Sequence, residues 1–465
     1  MPVSRACLIF LFACLCFSAG AALAANADGK DRDAHVAAPV QGPEDAARSL
    51  SAAAERVFGE AQPRLLQIRT VLKSAQKQSS IGSGFLVSAD GRALTNYHVL
   101  ALHALEPDLY QIEYRAADGS RGSLRLLAID IGNDLAVVQL DTPPGKQFEA
   151  FAFARAALEG RLVKGERLFS MGNPLDLGFT IVEGTYNGLV DKSYQARVHF
   201  TGALNPGMSG GPTVTKDNHV VGVNVARSID GDLVSFLAPA EAAVRLLEKA
   251  RAGGEMDAAA VRREVGAQMN AWQKDFFAAL DAQGFRETAL GPYRVAESKA
   301  DWFNCWAYTN RDEWRKLRVL MNRSSCNTHT QLFLGNEIYT GGMEISHAYF
   351  KSIDLDALQF SRRLGVRHPY LPGGAGNRYT PFRCRDDFLA SGESSPQRPA
   401  LRVSWCARGY RDFPGLYDVS VVAVTQDHDR EALVSNATLT GVQFGNALAF
   451  TRGFLAALKV RRDLD

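Results

Sequence analysis

Between Asn205 and Pro212 the chain reads Asn-Pro-Gly-Met-Ser-Gly-Gly-Pro. Its glycines let the backbone bend tightly and bring one serine close to whatever lies against it. As a bare string this could be an ordinary turn. Its upstream company points elsewhere. Thr95-Asn96-Tyr97-His98-Val99 and Asn133-Asp134-Leu135-Ala136-Val137 supply a histidine and an aspartate in apolar, strand-like settings. His, Asp, Ser is one of the chain orders in which a serine-nucleophile triad occurs.

The segments around these residues are short and β-like. The first set is Leu65–Leu72, Gly84–Ser88, Ala93–Thr95, Gln111–Tyr114, Leu124–Ile129 and Leu135–Leu140. The second is Arg167–Met171, Phe179–Glu183, Tyr186–Val190, Arg197–Phe200, Pro212–Val214, Val220–Ala226 and Leu233–Leu237. Turn signals such as Ala89-Asp90-Gly91-Arg92 separate them, so an all-β double barrel is expected, divided near residues 145–160. A helix is expected before them over Glu44–Glu60, and two follow. Ala240–Arg251 stops at Gly253-Gly254, and Asp257–Gln283 carries Val261, Val265, Met269, Trp272, Phe276 and Leu280 on one face.

From about Gly291 the character changes. This part holds Cys305, Cys326, Cys384 and Cys406 and four of the five tryptophans. Leu416–Thr425 alternates like a strand, and Phe444–Val460 reads as a closing amphipathic helix. Four cysteines in an oxidising compartment suggest two disulfides, with three connectivities open. A four-thiolate zinc site is disfavoured because no CxxC pair occurs. The expected order is a signal peptide (1–24), a disordered leader (25–43), the double barrel (44–247), a helical connector (248–290) and a separate disulfide-containing α+β domain (291–465).

Export is read from the N-terminus. Arg5 precedes an uncharged apolar core, Cys7–Phe17, and Ala22-Leu23-Ala24 offers small residues for cleavage. Leu11-Phe12-Ala13-Cys14 resembles a lipoprotein processing site but lies too early, so lipidation is not expected. The address is periplasmic or secreted. The 465 residues carry 52 basic and 50 acidic side chains, a formal net charge of +2, with no basic block. Nucleic acid is therefore not an expected partner.

A serine hydroxyl is a poor nucleophile until a base takes its proton. His98 is the candidate base for Ser209, and Asp134 would orient the imidazole. Asp134 is preferred to Asp130 because it directly precedes the apolar run Leu135–Leu140, whereas Asp130 suits a turn. The backbone amides of Gly207 and Ser209 are the candidate oxyanion donors. No cofactor or metal is required by this chemistry, and no HExxH motif occurs.

These blocks, with Met171-Gly172-Asn173-Pro174 and Val221-Gly222-Val223-Asn224, resemble the trypsin-like (chymotrypsin-fold) serine peptidases, in particular the bacterial HtrA/Deg branch. The resemblance spans about Ala46–Leu247 and implies two six-stranded barrels with a triad in the cleft between them. It also implies a substrate pocket at Ala203, Leu204, Val223 and Asn224. Ala203 offers no acid for Lys or Arg, so small or medium apolar P1 residues of protein or peptide substrates are expected. Two departures stand out: Met208 replaces the family's usual Asn or Asp, and Pro206 removes one backbone donor. They keep open a rival reading, a catalytically silent or regulated binding or chaperone-like protein, against which the intact triad residues argue. No carboxylate-binding loop of a PDZ module is recognisable downstream, so the C-terminal part is expected to present substrates or to bind an envelope or protein partner. Trp302, Trp306 and Trp405 read as core residues beside disulfides rather than as a sugar platform.

Overall fold

The computed structural model describes residues 43–227, 233–311, 318–328, 330–335, 338–364, 378–390 and 398–461. The expected export signal and all but the last residue of the leader lie outside them. Helix α1 (Pro43–Ala61) is followed by six strands: β1 (Leu65–Leu72), β2 (Lys77–Leu86), β3 (Arg92–Thr95), β4 (Tyr110–Ala116), β5 (Arg121–Asp130) and β6 (Leu135–Leu140). They close into a barrel in the order β1-β2-β3-β6-β5-β4. Helix α2 (Tyr97–Leu105) links β3 to β4.

The second barrel uses β8 (Arg167–Gly172), β9 (Thr180–Leu189), β10 (Val198–Phe200), β11 (Pro212–Val214), β12 (His219–Arg227) and β13 (Ser235–Pro239). The β11–β12 pairing closes the ring, and the two-residue β7 (Ala152–Phe153) adds to β12 in parallel. The short helix α3 (Arg155–Leu158) follows β7. The runs 179–183 and 186–190, expected as two strands, are one continuous β9. Gly184 fits mid-strand because Phe200 crosses directly over it, leaving no space for a Cβ.

Helices α4 (Ala240–Ala252) and α5 (Ala258–Gln283) match the expected spans within a residue. Asp257 caps α5 by accepting the Ala260 amide at 2.7 Å. The expected apolar stripe is buried at Val261, Val265, Met269, Phe276 and Leu280.

The C-terminal part has a three-stranded sheet of β14 (Phe285–Leu290), β15 (Tyr293–Ser298) and β25 (Lys459–Val460). Its main layer is a seven-stranded antiparallel sheet of β16 (Asn304–Thr309), β17 (Val319–Asn327), β20 (Met343–Ser352), β21 (Arg383–Leu389), β22 (Leu401–Gly409), β23 (Leu416–Thr425) and β24 (Glu431–Gln443). The order is β16-β17-β20-β24-β23-β22-β21. A hairpin of β18 (Leu332–Gly335) and β19 (Ile338–Thr340) leaves the sheet between β17 and β20. Helix α6 (Ala357–Arg363) follows β20, and α7 (Phe444–Ala456) ends before the residue expected, because the chain returns to β structure at β25.

The four cysteines resolve the open connectivity. Cys305–Cys326 and Cys384–Cys406 are disulfides between residues directly opposite in register. Each ties an edge strand, β16 or β21, to its inner neighbour. Every residue of β21 is exposed, so little packing holds that edge. Trp306 on β16 is 74% exposed, contrary to its expected place in the core.

The C-terminal sheet has a core of its own, including Val295, Ile345, Val419, Leu433 and Phe454, to which Phe276 and Leu280 of α5 add, and its hairpin enters a second one. Leu332, Leu334 and Ile338 of the hairpin share one apolar cluster with Tyr97, Leu100, Ala101 and Leu105 of α2 and with Val261, Val265 and Met269 of α5. Burying each such side chain is worth about 1.5–3 kcal/mol. Polar contacts from the middle of α5 tie it to both neighbours. Gln268 exchanges hydrogen bonds with Ile131 N and Ile129 O, both at 2.8 Å. Buried Gln273 donates to Gly441 O at 3.0 Å and accepts from Gln443 N at 2.6 Å.

Replacing Gln273 by Leu leaves a carbonyl and an amide of the sheet end without partners, at about 1–3 kcal/mol for each stranded group. Gln273→Leu should therefore lower the thermal unfolding midpoint clearly. An unchanged midpoint in calorimetry would count against the role assigned to this side chain.

Candidate active site

His98 sits not in a strand but at the second position of α2, and Asp134 occupies the turn that enters β6. The short apolar run after His98 hides its helical period, which accounts for the misreading. Asp134 adopts φ +57°, a left-handed conformation costing a non-glycine residue on the order of 1–2 kcal/mol. Four hydrogen bonds offset that strain. Its carboxylate accepts the His98 backbone amide at 2.9 Å and His98 Nδ1 at 2.5 Å. Its carbonyl accepts Asn96 Nδ2 at 2.7 Å and Tyr97 N at 3.2 Å. Asp130 instead accepts from the Asn133 backbone and side chain, closing the turn. The turn is held from outside by Gln195 and Arg197, which donate to Gly132 O at 2.8 and 3.1 Å.

The imidazole side chain is about one-third exposed (32%). Burial opposes its protonation, but the charge and hydrogen bond of Asp134 outweigh burial and hold its pKa above the ordinary histidine value.

Ser209 is half-buried. Its hydroxyl donates to Val225 O at 3.4 Å, and among the described residues no hydrogen bond joins it to the His98 ring. Such contacts are often long without substrate and tighten in the Michaelis complex. The preceding loop is built to expose two amides. Pro206 O accepts from Leu175 N at 3.0 Å, and a trans peptide directs the next N–H the opposite way. Gly207 O accepts from Ser83 Oγ at 2.7 Å. Among the described residues neither Gly207 N nor Ser209 N donates a hydrogen bond, while Met208 N, Gly210 N and Gly211 N all do. Gly207 needs its φ of +95°, and a Cβ there would lie 2.4 Å from Asn173 O.

Met208 is buried among Leu168, Phe200, Leu204 and Leu237 in the second barrel. An apolar residue at this position thus has a packing reason. Of the expected pocket residues, Ala203 is partly exposed, while Leu204 and Val223 are buried in barrel cores. Asn224 is fully buried. It bonds Ser170, Thr213, Met171 O and Met208 O, so it ties the serine loop to the barrel rather than facing the cleft.

Ser83 and Phe333 escaped the sequence reading as site residues. Ser83 is buried and fastens the barrels together: its amide donates to Ser209 O at 2.7 Å, and its hydroxyl also accepts Asn173 N at 2.9 Å. Its place in Gly82-Ser83-Gly84 was the available signal, since flanking glycines mark close backbone approach. Phe333, from the distant β18, lies edge-on to the His98 ring at 6.1 Å. No local pattern reveals a contact across 235 positions of chain.

Residues 82–223 match the model of the trypsin-like peptidase domain. Over 210 residues the chain is 30% identical to a putative serine protease HhoB of Synechocystis sp., covering 43% of this chain and 46% of that protein. It is 30% identical over 188 residues to a probable periplasmic serine endoprotease DegP-like of Pseudomonas fluorescens, covering 39% and 37%. The crystal structure of Deg5 aligns with a TM-score of 0.36 at 24% identity, covering 42% of this chain and 92% of that one. This segment is thus similar to trypsin-like peptidase domains, and the relatives it matches are described as serine proteases of HhoB and DegP-like type. The chain spans less than half the length of these two curated relatives.

Because the folded-state pKa of His98 is raised, protonation favours the folded protein. That contribution is fully present below the unfolded value of about 6.5 and is lost as pH rises through the folded one. An imidazole NMR titration should place the His98 midpoint above the ordinary histidine value. In Asp134→Asn burial prevails and the midpoint should drop below it. A midpoint indifferent to this substitution contradicts the electrostatic account.

Proposed function

We propose that the chain is an exported serine endopeptidase acting on proteins through an acyl-enzyme intermediate, with Ser209 as nucleophile, His98 as general base and Asp134 as the orienting acid. The observation that carries this reading is the grip of Asp134 on His98 Nδ1 and its own backbone amide. It fixes the tautomer and leaves Nε2 as the ring atom that serves Ser209. Ser209 Oγ attacks the scissile carbonyl while Nε2 takes its proton. The oxyanion forms against the amides of Gly207 and Ser209, which among the described residues no carbonyl occupies. Imidazolium then protonates the leaving amine, and water releases the acyl group by the same route in reverse. Burial of Met208 in apolar surroundings supports an oxyanion loop held in shape without the family's usual polar residue.

Small or medium apolar P1 residues suit this reading. Ala203 offers no acid at the expected pocket, and the neighbouring Leu204 and Val223 are buried and apolar. Export to the periplasm or exterior agrees with the two disulfides and with the periplasmic description of the DegP-like relatives. Residues 291–465 act as an accessory region that presents substrate.

Ser209→Ala should abolish peptide-bond cleavage, with kcat lower by about 10⁴–10⁶, and should take up no serine-reactive phosphonate. Gly207→Ala forces the loop away from Asn173 and should lower kcat by roughly 10²–10³ with a much smaller change in KM. For the wild type, kcat/KM should rise with pH through the raised pKa of His98, since the base must be neutral. A folded wild type that neither cleaves nor labels defeats the proposal.

A further inference from the structure

The hairpin β18–β19 reaches from the C-terminal sheet to the candidate base. Its alternation sends Leu332 and Leu334 into the core shared with α2 and α5. Phe333 and Tyr339 are paired in register on the opposite face and meet at 5.2 Å. Phe333 is half-buried and lies edge-on to both His98, at 6.1 Å, and Tyr97, at 6.2 Å. Tyr339 is 52% exposed. Phe333 beside a partly exposed imidazole, with Tyr339 against it, forms an apolar surface next to the candidate base.

The hairpin cannot swing away cheaply. Tyr97 donates to Leu334 O at 3.0 Å, and Leu105 leaves no space for a Cβ at Gly335. At its base, Thr340 accepts from Tyr410, whose hydroxyl also engages the buried Arg408–Asp418 pair. It is a strut, and its aromatic face is preorganised.

Its side of the cleft follows from its neighbours. Leu332 borders the same recess as Ile129–Gly132, the segment leading into Asp134. Gly132 is held by Gln195 and Arg197, at the entry to β10, and β10 runs on to Ala203 and the oxyanion loop. Through Gly132 the core face of the hairpin is connected to the strand that leads to Ala203, and this connection supports the acyl side as its location.

We propose that Phe333, with Tyr339, is specificity-determining: it walls a subsite for an apolar side chain on the substrate residue immediately N-terminal to the one whose carbonyl is attacked. The proposal rests on the peptidase reading above. The accessory region then supplies part of the substrate cleft itself.

The test uses the full chain and a fluorogenic peptide series in which only that residue varies among Leu, Phe, Gly, Asn and Asp. Wild type should prefer Leu or Phe over Gly and Asp. In Phe333→Ala the Leu/Gly ratio of kcat/KM should fall roughly tenfold or more, within the range an apolar pocket can discriminate. Tyr339→Ala, at an exposed ring, should move the same ratio in the same direction and supplies the readout should Phe333→Ala fail to fold. An unchanged ratio in a folded Phe333→Ala, or in Tyr339→Ala where Phe333→Ala is unfolded, overturns the subsite. So does a wild type that cleaves without preference at that position. A wild type that neither cleaves nor takes up phosphonate defeats the peptidase reading instead, so the two failures are distinct.

Discussion

The arrangement depends on what Asp134 does with its backbone and side chain together. One residue in a left-handed turn receives Asn96, Tyr97 and both nitrogens of His98 that face it. That clasp fixes where α2 begins relative to β6, and so aims the imidazole. It also settles where the Tyr97 hydroxyl emerges, which is the point the β18 backbone engages. The strain of φ +57° persists because the contacts around it over-determine the position, as is usual where geometry must be held for chemistry.

Ser83 plays the complementary part between the barrels. Its amide takes the Ser209 carbonyl, its hydroxyl links Gly207 O to Asn173 N, and its carbonyl accepts the Thr95 hydroxyl at 2.7 Å. The serine loop of the second barrel is thereby referenced to strands β2 and β3 of the first, from which His98 follows three residues later. Gly210 completes the join, since any Cβ there would lie 2.3 Å from Ser83 O. The candidate base and candidate nucleophile come from different barrels, yet a few buried hydrogen bonds hold their separation.

Much of this was legible in the sequence because its signals are local. Leu65–Leu72, Leu135–Leu140 and Leu416–Thr425 emerge at the expected residues, and Asp134 rather than Asp130 meets His98. Failures occurred where tertiary contacts override local pattern. His98 looked strand-like because α2 is nearly all apolar, buried on one side by the barrel and on another by α5 and the hairpin. Gly184 and Thr185 split β9 on paper, yet Phe200 packing against Gly184 makes them continuous. Asn224 looked like a pocket residue from its motif, but its amide is consumed by four internal partners.

The shared core recasts what the region after residue 291 contributes. The C-terminal sheet has a core of its own, yet its junction with the rest of the chain is apolar rather than polar. Here Leu332, Leu334 and Ile338 complete the packing of α2, the helix that begins at the candidate base. Tyr194, in the loop before β10, is likewise enclosed by Trp272, Phe276 and Trp302 at 5.0–5.7 Å. Both segments that hold the Asp134 turn, α2 on one side and the 190–197 loop on the other, therefore rest on residues beyond the second barrel. Burial of aromatic and aliphatic surface of this kind is non-directional in origin but close-packed in outcome. The hairpin that leaves the C-terminal sheet therefore links that sheet to the imidazole through packed contacts.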